Sequence, residues 1–302
     1  MASALRVATR GSALARRQAD RVVELLGLPA ELVVVSTRGD QRADVPIHTI
    51  GGVGVFVKEV EQAVLDGRAD IAVHSAKDLP AVISDGLALA AVPERGDARD
   101  ALVGSTLDAL PTGARVATGS VRRRAQLANA RPDVVFAELR GNIETRLDKA
   151  RRFDAVVVAA AALERLGALD RADELLDPSV MLPQVGQGSL AVECRIDDEQ
   201  TRARLETIDN VRAHRALDAE RAFLAQLGGG CNLPCGALAS IDDGNSVSID
   251  ALLASLDGRI VLRAHATGVD PAAVGDDVAR ALLADSGGQM LLDDLALAPV
   301  VS

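Results

Sequence analysis

Short apolar strands alternate with helically spaced segments twice in succession along this chain, and then the alternation stops. That change limits the fold more than any single motif. Leu5 to Thr9 predicts a strand, after which Ser12 caps a helix to about Leu26. Leu32 to Ser36 predicts a second strand, Phe56 to Leu65 a helix, and Ile71 to His74 and Leu87 to Val92 two further strands. The pattern repeats with strands at Arg115 to Ala117, Val134 to Leu139 and Ala155 to Val158, and helices at Ser120 to Ala130, Asn142 to Arg151 and Ala160 to Leu166. Strands separated by helices call for a parallel or mixed sheet covered on both faces. Two such units in tandem predict two similar α/β domains with a cleft between them. Gly188 to Cys194 reads as one more strand, so the chain is expected to cross back to the first domain near Val185-Gly186-Gln187-Gly188.

Beyond a helix from about Val211 to Leu227 the character changes. Ala237 to Ile241, Ser246 to Leu253 and Arg259 to His265 read as three antiparallel strands, with tight turns at Asp243-Gly244-Asn245 and Asp257-Gly258 and a closing helix at Val274 to Ala284. The expected organisation is therefore α/β with three domains. Residues 1–95 with 189–206 form the first, residues 96–188 the second, and residues 207–302 a small α+β domain with a three-stranded antiparallel sheet.

A chain of 302 residues, 48% hydrophobic and 25% charged, has the composition of a soluble protein with more than one core. It has no Trp or Tyr, and Phe56, Phe136, Phe153 and Phe223 are its only aromatic residues. A base-stacking platform for single-stranded nucleic acid is close to excluded on that ground, and no nucleic-acid partner is expected. The first residues lack the apolar core of a secretory signal, no run is long enough to span a membrane, and no membrane partner is expected. Three cysteines without framework spacing point to a reducing cytoplasm, with Cys194 a buried strand residue.

Net charge is −10, but its sign is uneven. Between Arg115 and Arg165 eleven Lys/Arg stand against six Asp/Glu, whereas from Arg212 onward six stand against twelve. A local basic cluster in an acidic protein implies a defined anionic ligand.

Four runs lie where such a ligand would sit. His74-Ser75-Ala76-Lys77-Asp78-Leu79-Pro80 follows a predicted strand, at the edge where open α/β sheets bind ligands, and offers a hydroxyl, an ammonium and a carboxylate. His74 itself reads as a packed strand residue, since no second His stands at ligand spacing, and no metal site is expected. Thr118-Gly119-Ser120-Val121-Arg122-Arg123-Arg124 is a strand-to-helix turn, whose free N–H groups favour an anion and whose Arg122 and Arg123 suit carboxylates. Arg124 fits a solvated helix face. Arg140-Gly141-Asn142-Ile143-Glu144-Thr145-Arg146 repeats the design, with Arg140 and Arg146 facing one cleft edge and Arg165 following the next strand and helix. Thr9-Arg10-Gly11-Ser12 does the same in the first domain. Basic residues recurring at strand ends describe a polycarboxylate or phosphate cleft.

Cys231 stands after three glycines in Gly228-Gly229-Gly230-Cys231-Asn232-Leu233-Pro234-Cys235, which leaves room beside the thiol for a substrate, a metal, a second thiol or a covalently held group. Cys231 and Cys235 have no further Cys pair or clustered His to complete a zinc site. Gly51-Gly52-Val53-Gly54 lacks the third glycine of a dinucleotide fingerprint.

Taken in order, these runs resemble the porphobilinogen deaminase (hydroxymethylbilane synthase) family. The matching stretches are Arg6 to Arg10, Gly54 to Glu59, Asp70 to Pro80, Ser120 to Arg123, Leu139 to Asn142, Pro183 to Gly188 and Gly229 to Cys231. The resemblance implies that the first two domains are similar to the lobes of periplasmic-type binding proteins. It also implies that Cys231 carries a dipyrromethane cofactor through a thioether, on which four porphobilinogen molecules are joined head to tail with loss of ammonia before hydrolysis releases hydroxymethylbilane. By similarity, Asp78 stabilises charge and handles protons at the pyrrole nitrogens. Ser75, Lys77, Thr118, Ser120, Arg122, Arg123 and Arg146 would hold the cofactor. Arg10, Ser12, Arg140, Arg146 and Arg165 would bind incoming or growing rings, with Phe56 an apolar wall beside them. A monomer suffices for this activity.

Three positions depart from the family's habit: Val53 where Lys is common, Gly119 where Ser is frequent, and Cys235 where an apolar residue is usual, the last expected to be packed and inert. The irregular stretch from Gly39 to Gly54 is expected to act as a lid. Two other readings compete. A non-catalytic module for small anions would need the arginines but neither Asp78 nor Cys231, and a cysteine-nucleophile enzyme would need a cation beside Cys231, which the adjacent sequence lacks.

Overall fold

The computed structural model describes residues 4–41, 54, 56–228 and 233–297. Along it, the strands are β1 (Leu5–Arg10), β2 (Ala30–Val35), β3 (Ile71–Ser75), β4 (Leu87–Ala91), β5 (Asp100–Val103), β6 (Arg115–Ala117), β7 (Val135–Ala137), β8 (Ala155–Ala159), β9 (Glu174–Leu175), β10 (Leu190–Arg195), β11 (Cys235–Ile241), β12 (Val247–Ala254) and β13 (Val261–Gly268).

They form three sheets, ordered β2-β1-β3-β10-β4, β7-β6-β8-β5-β9 and β11-β12-β13. In each of the first two, three parallel strands are followed by one antiparallel strand and then by an edge strand that runs with the three. The two sheets thus share one design, with the two crossings near residues 92–99 and 176–189 joining them. At those crossings Gly96 N donates to Gly188 O at 3.1 Å, so the two linking strands hold each other. β10 enters the first sheet between β3 and β4, which is the expected return of the chain.

Parallel pairing aligns the strand ends. Arg10 of β1 stands opposite Val35 of β2, and Ala8 opposite Ala72 of β3, so the C-terminal ends of all three strands open at one edge. β6, β7 and β8 do the same in the second sheet. Helices leave these edges with capped N-termini. Ser12 Oγ accepts from Ala15 N at 3.2 Å, Ser120 Oγ from Arg123 N at 3.4 Å, and Asn142 Oδ1 from Thr145 N at 2.9 Å. Each cap satisfies an N–H that the helix cannot, and the positive ends of the helices capped by Ser12 and Asn142 border the space between the sheets.

The third sheet is wholly antiparallel and packs against the helices Val211–Gln226 and Pro271–Arg280, with Phe223 fully buried among Ala237, Ile249, Leu253 and Val278. Glu220 ties this unit to both crossings. Its carboxylate is fully enclosed, pairs with Arg95 at 2.6 Å, and accepts from Gly186 N at 2.7 Å and Ala239 N at 2.9 Å.

Several expectations need correcting. The helix expected from Phe56 begins at Lys58, because Gly54, at φ 78°, turns the chain and its carbonyl accepts from both Val57 and Lys58 N–H. The closing helix starts earlier, at Pro271, because Asp270 caps it, and a further helix, Gly288–Leu297, follows. β5, β9 and the helix Glu199–Glu206 were not expected. β5 begins with a buried aspartate after Asp97-Ala98-Arg99, a run that reads as a loop. The proposed lid from Gly39 to Gly54, Val53 included, falls mostly outside the described residues, as does Cys231. Cys194 and Cys235 are buried as expected, and burial pushes the Cys194 thiol up to about 11. No helix among the described residues is long and apolar enough to cross a membrane.

Candidate active site in the interlobe cleft

The strand edges of the two lobes enclose a cleft of about 1050 Å³. It exceeds the ~300–1,000 Å³ range of ordinary small-molecule sites, so it has room for more than one small ring. From the first lobe it is lined by Arg10, Ser12, Gln18, Phe56, Ser75, Lys77 and Asp78, and from the second by Arg123, Arg140, Arg146 and Lys149. Six basic side chains thus meet a single acid, Asp78, among the described lining residues.

Each cation is held in place. The Arg10 guanidinium lies over the Phe56 ring, 4.1 Å from its centroid, and Gly39 fits against that ring where a Cβ would collide with it. Arg146 Nε donates to Gly141 O at 2.9 Å and Lys149 Nζ to Arg140 O at 3.1 Å, so the β7–helix turn is closed by its own basic residues. Enclosure, then the neighbouring Arg123 and Arg140 charges, draw Arg146 down to about 10. Lys77 is lowered to about 8, first by burial and then by Arg123, with Asp78 opposing. Crowded, desolvated cations of this kind are relieved by anionic ligands.

Beneath the cleft runs a polar chain that sequence reasoning missed. Lys77 Nζ donates to Gln187 Oε1 at 3.3 Å, and Gln187 Nε2 donates to Asp100 Oδ1 at 2.9 Å. Asp100, fully enclosed, pairs with Arg122 Nη1 at 2.8 Å and Arg123 Nη2 at 2.7 Å, and those charges pull its carboxyl well below the usual range despite burial. Gly186, at φ 72°, lets the returning crossing approach the backbone of Ala76 and Lys77, where a Cβ would stand 2.9 Å from both Ala76 C and Lys77 N. Gln18 is also new: 3% exposed, it donates to Ser75 Oγ at 2.7 Å.

The cleft therefore gathers Ser75, Lys77, Asp78, Arg123, Arg146, Arg10, Ser12, Phe56 and Arg140. Arg165 sits in a small cavity next to it, beside Ser75 and Lys77, with its guanidinium on the carbonyl of Gly188. Thr118, Ser120 and Arg122 are not among the lining residues. Thr118 Oγ1 accepts from Ser120 N at 3.2 Å, Ser120 serves as the helix cap, and Arg122, 3% exposed, donates to Leu182 O at 2.7 Å. One residue of helical rotation separates Arg122, turned to the crossing, from Arg123, turned to the cleft. Gly119, where a hydroxyl was expected in relatives, lies against the next turn, and a Cβ there would stand 2.8 Å from Leu139 O.

Fold and site define a two-lobed α/β protein whose cleft is built for a polycarboxylate. The family profile described as "Porphobilinogen deaminase, dipyromethane cofactor binding domain" matches residues 5–203, and "Porphobilinogen deaminase, C-terminal domain" matches residues 215–284. The porphobilinogen deaminase of Brevibacillus brevis is 45% identical over 300 residues, covering 96% of this chain and 97% of its own, and that of Roseiflexus sp. is 46% identical over 303 residues, covering 97% and 99%. A periplasmic His/Glu/Gln/Arg/opine family-binding protein from Silicibacter pomeroyi covers 72% of this chain at 14% identity and a TM-score of 0.34, a likeness too weak to add to the strand orders above. The chain belongs to the porphobilinogen deaminase family. It is a transferase of tetrapyrrole biosynthesis that polymerises porphobilinogen with a dipyrromethane cofactor.

Proposed function

We propose that Asp78 is the acid–base and charge-stabilising residue of this polymerisation, and that Cys231 tethers the cofactor through a thioether. The observation that carries the first assignment is the composition of the cleft, one carboxylate among six cations in its described lining. Porphobilinogen bears an acetate and a propionate, so the cations match its side chains and the odd group out matches its ring. Loss of ammonia from the aminomethyl group leaves positive charge on the incoming pyrrole, and a carboxylate in a low-dielectric site stabilises such charge strongly. Asp78 can then take the proton that the coupled ring releases.

The residues present suit the cofactor. Two dipyrromethane rings carry four carboxylates, and Lys77, Arg123 and Arg146 are enclosed cations with room beside them. When bound, the cofactor supplies the pyrrole end on which the chain grows. Ser75, Lys77, Arg123 and Arg146 hold it in this reading, and Thr118, Ser120 and Arg122 support them from behind. Arg10, Ser12, Phe56 and Arg140 receive the incoming ring, and Arg165 braces the crossing at Gly188. The domains divide at residues 1–95 with 189–206, 96–188 and 207–302. The enzyme works as a cytoplasmic monomer that takes porphobilinogen and releases hydroxymethylbilane after four additions.

The test is Asp78→Asn, which keeps the shape and removes the charge. Turnover is expected to fall by about 10²–10⁴-fold with the melting temperature retained. Near-normal bilane production by this variant contradicts the assignment.

A further inference from the structure

Behind the loop that carries Asp78 lies a buried charge cluster with no task in the roles above. His74, near the end of β3, directs Nε2 at Glu193 Oε2 on β10 across 3.2 Å, with side chains 3% and 0% exposed. Glu61 enters the same space from the helix Lys58–Leu65 and accepts from Ser84 Oγ at 2.7 Å. Arg221 arrives from the helix Val211–Gln226 of the C-terminal unit, interacts with the charges of Glu193, Asp218 and Glu61, and donates from Nη2 to Ala81 O at 2.9 Å. Lys58, exposed on the same helix, adds a weaker opposing charge to Glu61.

These contacts grip the Asp78 segment on both sides: at His74 before it, and at Ala81 and Ser84 after it. Their arrangement is costly. Both Glu193 oxygens and Glu61 Oε1 are enclosed with no hydrogen-bond partner among the described residues, and buried ions are stable only when compensated. His74 stands nearest Glu193 at 3.2 Å, Arg221 adds an opposing charge from farther away, and burial pushes the Glu61 carboxyl up toward its neutral form. One residue earlier on the same helix, Glu220 clamps both interlobe crossings. A single helical turn of the C-terminal unit therefore holds the crossings with one side chain and the Asp78 loop with the next.

We propose that Glu193 and Arg221 are positioning residues, through which the C-terminal unit fixes Asp78 in the cleft. The inference rests on Asp78 being the working acid. Glu193→Gln and Arg221→Met each remove one of two opposing buried charges, whereas the double variant removes both and with them the Arg221 donor to Ala81 O. The singles are expected to lower the melting temperature, and the double to recover most of that loss and still gain its covalent addition by intact mass. Yet the double should lose at least tenfold in kcat with KM within about threefold, since a misplacement near 1 Å can cost ~10²-fold. A double variant with recovered melting temperature and wild-type kcat overturns the proposal.

A second readout does not depend on the double variant folding. The ring resonances of His74, followed by ¹⁵N and ¹H spectroscopy, should shift in Arg221→Lys, a change in the C-terminal unit that keeps the charge. An unmoved resonance overturns the proposal as well. Asp78→Asn separates the two ideas. If it keeps turnover, the assignment of Asp78 fails and the positioning role fails with it. If it is inactive while the double variant is normal, only the positioning role fails.

Discussion

Replacing Asp100 by Asn tests whether the cationic cleft is supported from below by one buried carboxylate. Asp100 is fully enclosed and meets Arg122 at 2.8 Å and Arg123 at 2.7 Å. Taken between charge centres about 4 Å apart, each pair is worth roughly 4 kcal/mol at an effective dielectric of about 20, so the two together give about 8 kcal/mol gross. Desolvation of three charges takes back much of this. What remains on breaking a buried pair is about 3–5 kcal/mol, and the upper end is expected because two guanidinium groups lose their counter-charge at once. Leu182 O and Val157 O still accept from them, which keeps the loss within that range. The assay is urea unfolding at neutral pH, with wild type and Asp100→Asn side by side.

The pH dependence has a fixed sign. The folded-state pKa of Asp100 is depressed, so its contribution is full above the unfolded value near ~3.9 and is lost as pH falls below it toward the folded one. Wild type and variant should therefore converge in strongly acidic solution. A variant within about 1 kcal/mol of wild type at pH 7 would refute the reasoning, because Arg122 and Arg123 would then be satisfied without Asp100.

Lys77, held down to about 8, loses its charge as pH rises through that value in the unloaded protein. Self-loading of the unmodified chain with cofactor, followed by intact mass, should fall over the same interval, and Lys77→Arg should carry the plateau to higher pH. A flat profile to pH 9.5 contradicts the role given to Lys77. Gly119→Ser places a Cβ 2.8 Å from Leu139 O, and overpacking of this kind costs about 1–3 kcal/mol. Urea unfolding of that variant should show the loss, and an unchanged midpoint would show that the turn yields freely. Gln18→Ala removes the donor to Ser75 and should raise KM for porphobilinogen with little change in stability, as steady-state kinetics and a melting curve together can establish.

What the sequence discloses and what it hides follow from range. Strand ends were legible because an apolar run followed by Gly, Ser or Asn and a basic residue marks a strand-to-helix turn. Ser12, Ser120 and Asn142 do cap the helices they precede. Asp78 was legible for the same reason, since it follows β3 at the binding edge. Asp100, Gln187 and Glu193 were not, because each acts across the fold. Gln187 reaches Lys77 and Asp100 only after the chain has returned from the second lobe, and Glu193 meets His74 only because β10 inserts beside β3. The Arg122–Arg123 pair shows a finer limit. Adjacent letters of one motif diverge by about 100° around a helix, so that both reach Asp100 but Arg123 borders the cleft while Arg122 turns to Leu182.

The central claim is that this chain builds its polymer on a pyrrole pair tethered to Cys231, in a cleft whose cations hold the carboxylates. Intact mass of the purified protein, from cells that make porphobilinogen, tests it directly when wild type is compared with Cys231→Ser. The account predicts a covalent addition of two linked pyrroles on the wild type and none on the variant. An unmodified wild-type chain, or the same addition on both proteins, would contradict it.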